Sequence, residues 1–583
     1  MKNTPIIIIS ILGVLLSIIL SGIYLNFSYF EPDTASYLFQ AKLFAQGKIS
    51  VPVPPQTING EITIEPNGTQ NAGLAKPEYG FSPSPHINML HGKWYSKYPF
   101  GNALMMMFGV FINAPWLIPA LATGGALFLL FLLVRDMYGK QIALIAAVIA
   151  LISPATAGMG STWFSEPVSR FFLTLFLFTL VRTLNNPGNV IYPLISGSAL
   201  GYAFNTRPLS AMVFGFVGGV FALYHLYSPI KKEESIAELN TEAPVKSQTR
   251  RQLIRQLSVF LIPFAVLVLI CMSWNYHFTD DPFMFTHTAA QPYDKVGFGK
   301  RTEGYYPDIE RAGEFKPEWS VKRTWQHILP CISFNALGWG NYHPRLLIEP
   351  KLTFRFFIDF LPLMIPWFLA FIPFFHKTRN RYDVLCISLI VVSLLLYAFF
   401  YFEGSTWGFT PVNARYYTEV IFIGFIPLVA RGMMIIFERL KYERLKKPIL
   451  KDKIAYIATI FYIMGLCSAF LTINIVWSYV RIGKVYQNWS RVYQQLPPLV
   501  KKSDIHNAVI FIPGTRDAPI GDYPFKSLDE ADIVYFKIGP NPRWGLTNSD
   551  WKAVYRQYFQ GRDAYLYDAG PNKLNPLSLE TEE

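Results

Sequence analysis

Apolar runs long enough to cross a bilayer as helix, which takes roughly 20 residues, recur along the whole chain. They fall at 5–26, 115–134, 141–157, 164–184, 190–206, 208–227, 256–273, 352–374, 384–402, 417–437 and 454–476. That pattern predicts about eleven transmembrane helices, several of them short or interrupted. The first run, "MKNTPIIIISILGVLLSIILSGIYL", is longer than the apolar core of a signal peptide and is followed by no A-x-A-like site. It reads as an uncleaved first span. The connections are very unequal: 27–114, 274–350 and the tail 477–583 are long, and the rest are short.

Two weaker patterns lie in the first long connection. Over 34–47, Tyr37, Leu38, Ala41, Phe44 and Ala45 form one stripe at helical spacing, which predicts a helix lying at the membrane interface. "YPFGNALMMMFGVFINAP" is apolar but too short to span, and reads as a re-entrant or interfacial helix. The tail starts with a helical stretch and continues with "NAVIFIPG", "ADIVYFKIG" and "DAYLYD", short β-branched and aromatic runs bounded by Gly, Pro and Asp. The expected fold is mainly α, a polytopic helix bundle over 1–476, with a small α/β domain over 477–583.

Composition agrees with a membrane protein carrying soluble parts. Only 16% of residues are charged, against about a quarter in soluble chains, and the mean hydropathy is +0.26. The net charge of +13 does not form a nucleic-acid face, because Lys and Arg concentrate in short connections. These are "RDMYGK" (135–140), 231–256, "HKTRNRYD" (376–383) and 438–453. With Lys2 and the N-terminus inside, all four fall on the cytoplasmic side, as positive-inside bias requires, and the C-terminus falls outside. The long connections then lie on the outer face. Of the four cysteines, no pair has metal-ligand spacing. Cys386 and Cys467 sit in apolar runs, while Cys271 and Cys331 both read as outward-facing, which leaves a disulfide open.

Glu31 and Asp33 follow the first span directly, in "SYFEPDTASYLFQAKLFAQGKI". Asp33 reads two ways. It suits the N-cap of a helix beginning at Thr34, and it suits a general base that takes a proton from a hydroxyl or amine while a bond forms at carbon. The two are compatible, since a cap can hold a catalytic carboxylate in place. A second carboxylate such as Glu31 can share a divalent metal ion or raise its neighbour's pKa.

The order of motifs resembles GT-C glycosyltransferases, in particular their protein-mannosyltransferase and aminoarabinose-transferase branch. That branch opens its first outer loop with an acidic residue followed by Y-x-x-x-A-x-x-L-x-x-G and later a Lys/Tyr-Pro-x-Gly element. Asp33, Tyr37, Ala41, Phe44 (where Leu is commoner), Gly47 and "SKYPFG" (96–101) match it. "LLVRDMYGK", "ALISP" (150–154), "WFSEP" with Glu166 and "GSALGYAFNTRP" with Arg207 continue the series. The likeness covers about 1–230; later echoes are "HFTDDPFMF", "GFG" (297–299), "NALGWGN" and "NARYYTEVIF" (413–422). It implies a sugar donor on a polyprenyl phosphate, an active site on the outer face, and an inverting transfer in which the loop carboxylate deprotonates the acceptor. No nucleotide loop is present in the sequence, consistent with a lipid-borne donor.

A leaving lipid phosphate needs cationic stabilisation, and Lys97, Arg207 and Arg415 are the candidates. Lys97 also reads as an interfacial snorkelling lysine. Arg207 and Arg415 also read as span-end charges, but on a side that positive-inside bias disfavours. Glu166 at the outer start of a span, Tyr37, Tyr98 and His343 are expected to line the substrate cavity. His86 and His91 read as surface histidines. Trp94, Trp163, Trp339 and Trp407 are candidates for stacking on sugars or for an interfacial belt. Glu31 and Asp33 would hold a divalent metal ion if one takes part. The expected partners are a polyprenyl-phosphate-linked sugar, an acceptor glycan, lipid or protein, and membrane lipids, with no nucleic acid. The short connections suggest a multi-pass protein of a bacterial inner membrane. A transporter or lipid scramblase is the alternative, though the chain shows no matching halves; an inactive assembly subunit is a third reading.

Overall fold

A computed structural model describes residues 4–29, 31–52, 57–58, 61–62, 87–90, 93–186, 188–227, 250–290, 299–300, 318–319, 334–335, 338–339, 365–398, 416–446, 475–476, 479–480, 483–484, 486–487, 494–513, 532–538, 552, 555–556 and 559–577. In chain order the first helices are α1 (Thr4–Leu25), α2 (Pro32–Ala45), α3 (Gly101–Phe111), α4 (Leu117–Tyr138), α5 (Lys140–Ile152), α6 (Pro154–Gly160) and α7 (Glu166–Asn185). They are followed by α8 (Ile191–Phe204), α9 (Pro208–Tyr227), α10 (Arg250–Thr279) and α11 (Thr286–Ala290), then by α12 (Ile365–Phe375) and α13 (Arg381–Ala398). The last rod, α14, runs from Thr418 to Lys446 through a π-helical turn at Ile421–Phe425.

Among the described residues, six helices are long and apolar enough to cross a membrane: α1, α4, α7, α9, α10 and α14. A seventh arises if α5 and α6, bent by 55°, form one broken span. The bend falls at Ser153, whose ψ of 124 is extended, because Pro154 excludes its predecessor from helical geometry. The predicted run 190–206 is a helix of 14 residues, about 21 Å long and short for a span on its own. The described parts of the runs 352–374 and 384–402 belong to α12 and α13, and 454–476 lies outside the described residues except for its last two. Cys271 and Cys386 are buried free thiols, and Cys331 lies outside the described residues.

Helices α1, α4, α7, α8 and α10 pack in succession, around a core that includes Leu127, Leu130, Val134, Leu173, Leu177 and Leu200. The bundle has two chemically distinct ends. At one, Arg182 at the close of α7 pairs with Asp136 near the close of α4. Arg381, opening α13, meets His225 of α9 and Asn185 of α7. "RDMYGK" and "HKTRNRYD" therefore share one end. At the other end lie the start of α7, the α8–α9 junction and the start of α14, joined through Arg207. Sixteen residues of α7 separate Glu166 from Arg182, about 24 Å.

The first loop contributes the strands β1 (Val51–Pro52), β2 (Ile87–Leu90) and β3 (Lys93–Ser96), in the order β1-β3-β2. The tail forms the predicted α/β unit: β4 (Ala508–Pro513) lies between β5 (Ile533–Ile538) and β6 (Asp563–Asp568), all parallel, with β7 (Lys573–Pro576) antiparallel on β6. Its apolar side is continuous with the first loop, since Leu496, Val500, Val509 and Phe511 belong to the same hydrophobic cluster as Tyr29, Leu38, Trp94 and Met106.

Candidate active site

The site is organised on α2. Its N-cap is Glu31, extended at φ −145 and ψ 152, so the capping role expected of Asp33 belongs to Glu31. The Thr34 hydroxyl donates to the Glu31 carbonyl at 2.7 Å and accepts the Glu31 N–H at 3.2 Å. Proline at the first helical position costs no hydrogen bond, since that N–H has no intrahelical partner. Asp33 thus lies one residue inside the helix, and one of its oxygens accepts the Tyr98 hydroxyl at 2.5 Å. Asp33 is 8% exposed.

The one-sided apolar stripe expected for α2 does not describe its burial. Every residue from Asp33 to Ala41 is buried, because the small polar side chains between the stripe positions are spent on protein. Ser36 shares a 2.7 Å hydrogen bond with Ser96, and Gln40 accepts the Ser96 N–H at 3.0 Å while donating to the Ile49 carbonyl at 2.9 Å. These bonds fix the end of β3, and with it Lys97 and Tyr98. Gly47 ends α2 at φ +70, with its N–H on the Phe44 carbonyl at 2.9 Å; the left-handed conformation favours glycine there.

Lys97 is 2% exposed, with Nζ 5.0 Å from the Tyr98 ring centroid. Its carbonyl accepts the Thr286 hydroxyl at 2.9 Å, which brings α11 over the site. His287 of α11 lies with its ring 5.9 Å from that of Tyr98. Burial, then the neighbouring Lys97 ammonium, push the His287 imidazole down to about 3, with Asp33 opposing. It is neutral at ordinary pH. Burial, then the Glu166 charge, raise the Tyr37 phenol well above its usual range. Its ring packs 4.7 Å from that of Tyr98.

A second polar knot adjoins the first. Arg207, at the α8–α9 junction, pairs with Glu166 at 2.7 Å and Glu419 at 2.9 Å, and lies 5.2 Å from the Tyr416 ring centroid. It also donates to Ser165 at 3.4 Å, whose hydroxyl accepts from Tyr37 at 3.2 Å. Glu166 and Glu419 are each 1% exposed. Arg170, fully buried one turn along α7, donates to the Ala155 carbonyl at 2.9 Å. A π turn that begins at Ile421, two residues after Glu419, is a feature common at functional sites.

The structure therefore brings Asp33, Tyr37, Lys97, Tyr98, Glu166 and Arg207 into one continuous region, with Glu31 at the entrance of α2. Arg415, His343, His86, His91 and Trp407 lie outside the described residues. Trp94 and Trp163 are packed in the core beside α2, and Trp339 lies in a two-residue strand. Sequence reasoning passed over His287, Ser165 and Glu419. Glu419 lay within a quoted motif, and a carboxylate opening an apolar run was its signal; His287 follows "HFTDDPFMF" by two residues but carries no periodic or spacing cue. Among the described residues no group of three His, Cys, Asp or Glu converges to hold a metal ion.

Residues 100–238 match the model of the dolichyl-phosphate-mannose-protein mannosyltransferase family. No curated protein matches the chain. Among solved structures, ArnT from Cupriavidus metallidurans bound to undecaprenyl phosphate is similar, with a TM-score of 0.47, 10% identity and coverage of 96% of this chain and 92% of that one. The Archaeoglobus fulgidus oligosaccharyltransferase gives 0.45 at 12% identity, over 86% and 62%. The arabinofuranosyltransferase AftD from Mycobacteria gives 0.43 at 10%, over 91% and 31%. Over residues 100–238 the chain is thus similar to the dolichyl-phosphate-mannose-protein mannosyltransferases.

Proposed function

We propose that the chain is a membrane glycosyltransferase that moves a sugar from a polyprenyl-phosphate donor to an acceptor on the extracytoplasmic face of a bacterial inner membrane, with inversion at the anomeric carbon. The observation that carries this reading is the Asp33 carboxylate, which accepts the Tyr98 hydroxyl at 2.5 Å, while the buried Lys97 ammonium lies 5.0 Å from the centroid of the same ring. An anion and a cation against one tyrosine suit a transfer in which a proton is taken at one side of a carbon and a phosphate leaves from the other.

In this mechanism Asp33 accepts the proton of the acceptor hydroxyl as its oxygen attacks the anomeric carbon. The bond from that carbon to the phosphate oxygen breaks, and its electron pair stays on the lipid phosphate. Lys97 opposes the charge that develops there. Tyr98, donating to one Asp33 oxygen, holds the carboxylate in place for the acceptor. Tyr37 and Glu166 wall the cavity. No step is routed through a metal ion.

Asp33→Asn keeps the size of the side chain and removes its basicity. It is expected to abolish transfer from radiolabelled polyprenyl-phosphate sugars while leaving membrane insertion and yield unchanged. Full activity in Asp33→Asn would refute the base assignment. Because transfer needs no sealed compartment, the same assay in detergent separates this reading from a transporter or scramblase.

A further inference from the structure

Ser165 stands at the N-cap of α7, where a serine hydroxyl ordinarily accepts a backbone N–H, yet it makes no side-chain cap bond. Its oxygen accepts instead from the Tyr37 hydroxyl at 3.2 Å and from Arg207 at 3.4 Å. From Ser165 the contacts run without a gap to the carboxylate: Tyr37 packs on Tyr98 at 4.7 Å, and Tyr98 donates to Asp33 at 2.5 Å. At the far side Arg207 is gripped by Glu166 and Glu419, which come from two different helices. Ser165 and Tyr37 are 2% and 5% exposed. In a close-packed interior a displaced ring is not absorbed by slack around it.

The charges argue the same way. The Arg207 guanidinium is held by two carboxylates within 3 Å, and Arg170 lies within electrostatic reach of the same two, so the cluster of two arginines and two glutamates is neutral and offers an incoming phosphate no net positive charge. Lys97, by contrast, lies on the Asp33 and Tyr98 side of the region.

We propose that Arg207 is a positioning residue for Asp33, acting through Ser165, Tyr37 and Tyr98, and not a ligand of the donor phosphate. This inference rests on the reading of Asp33 as the base. The test uses the full chain in detergent, with polyprenyl-phosphate sugars extracted from radiolabelled source membranes as donor and undecaprenyl phosphate as competitor. Tyr37→Phe and Ser165→Ala each remove one hydroxyl and nothing else. Each is expected to lower kcat about ten- to a hundredfold, with the donor KM and the inhibition by undecaprenyl phosphate within about twofold of the parent. Arg207→Lys keeps the charge but not the planar fork, and should show the same kcat loss. Lys97→Ala should show the opposite split, a raised donor KM. Normal kcat in both hydroxyl deletions overturns the proposal, as does an Arg207→Lys enzyme with intact kcat and a raised donor KM. If Arg207→Lys does not fold, the two hydroxyl deletions decide. Asp33→Asn in the same assay separates the two readings: if it is inactive while Tyr37→Phe is normal, only the positioning route fails; if it is active, the base reading fails.

Discussion

His287 shows what burial does to a single residue. An imidazole with an ordinary value near 6.5 is pushed down to about 3 in the folded chain. The unfolded state therefore binds more protons between those two values, and the folded state loses stability as pH falls from 6.5 toward 3. The slope is at most about 1.4 kcal/mol per pH unit. His287→Gln, which cannot take up the proton, should flatten the pH dependence of the thermal midpoint over that window and leave it unchanged above pH 7. A parallel acid slope in both proteins would show that other groups dominate. Asp33 and Lys97 were legible as chemistry because their residue types stood out against apolar runs. His287 was not, since only folding brings 286–290 over residues 97–98.

At the scale of elements, the "SKYPFG" glycine joins the first loop to the bundle. The Gly101 N–H donates to the Asn205 carbonyl at 2.7 Å, and a Cβ at this position would sit 2.7 Å from that oxygen and 2.5 Å from the Thr206 hydroxyl. Both lie beside Arg207. Gly101→Ala must push α3 away from the α8–α9 junction, and the expected cost is about 1–3 kcal/mol, read as a lowered thermal midpoint together with lost transfer. An unchanged midpoint would mean that the junction gives way freely. The motif was visible in the sequence, but its reason was not: glycine serves here by letting two backbones approach, a relation between segments about a hundred residues apart. The apolar stripe of α2 understated its burial for a related cause. Helical periodicity records which positions are apolar, whereas Ser36 and Gln40 are buried by hydrogen bonds to Ser96, which periodicity does not register.

For the molecule as a whole, the Arg207 knot ties α7, the α8–α9 junction and α14 together at the end of the bundle that carries Asp33. Removing one member of a buried ion pair typically costs about 3–5 kcal/mol, because it strands the partner charges, whereas replacing all members by neutral groups is often close to neutral. Arg207→Leu should therefore destabilise the protein strongly. Arg170 lies within electrostatic reach of both glutamates, so one carboxylate must stay to balance it. Combining Arg207→Leu with Glu166→Gln alone should restore most of the thermal midpoint without restoring transfer. If the double variant is as unstable as the single one, packing and not charge makes the knot.

The sequence by itself determined the membrane bundle, the small α/β tail and the acidic opening of the first loop. Span length, loop charge and β-branched runs are local quantities, and a linear chain displays them. Only the tertiary structure decided which charges meet. Asp33 faces Tyr98, Arg207 faces two glutamates, and Cys271 stays a buried thiol, because hydrogen bonds and ion pairs reach over a few ångströms in space and across tens to hundreds of residues in sequence.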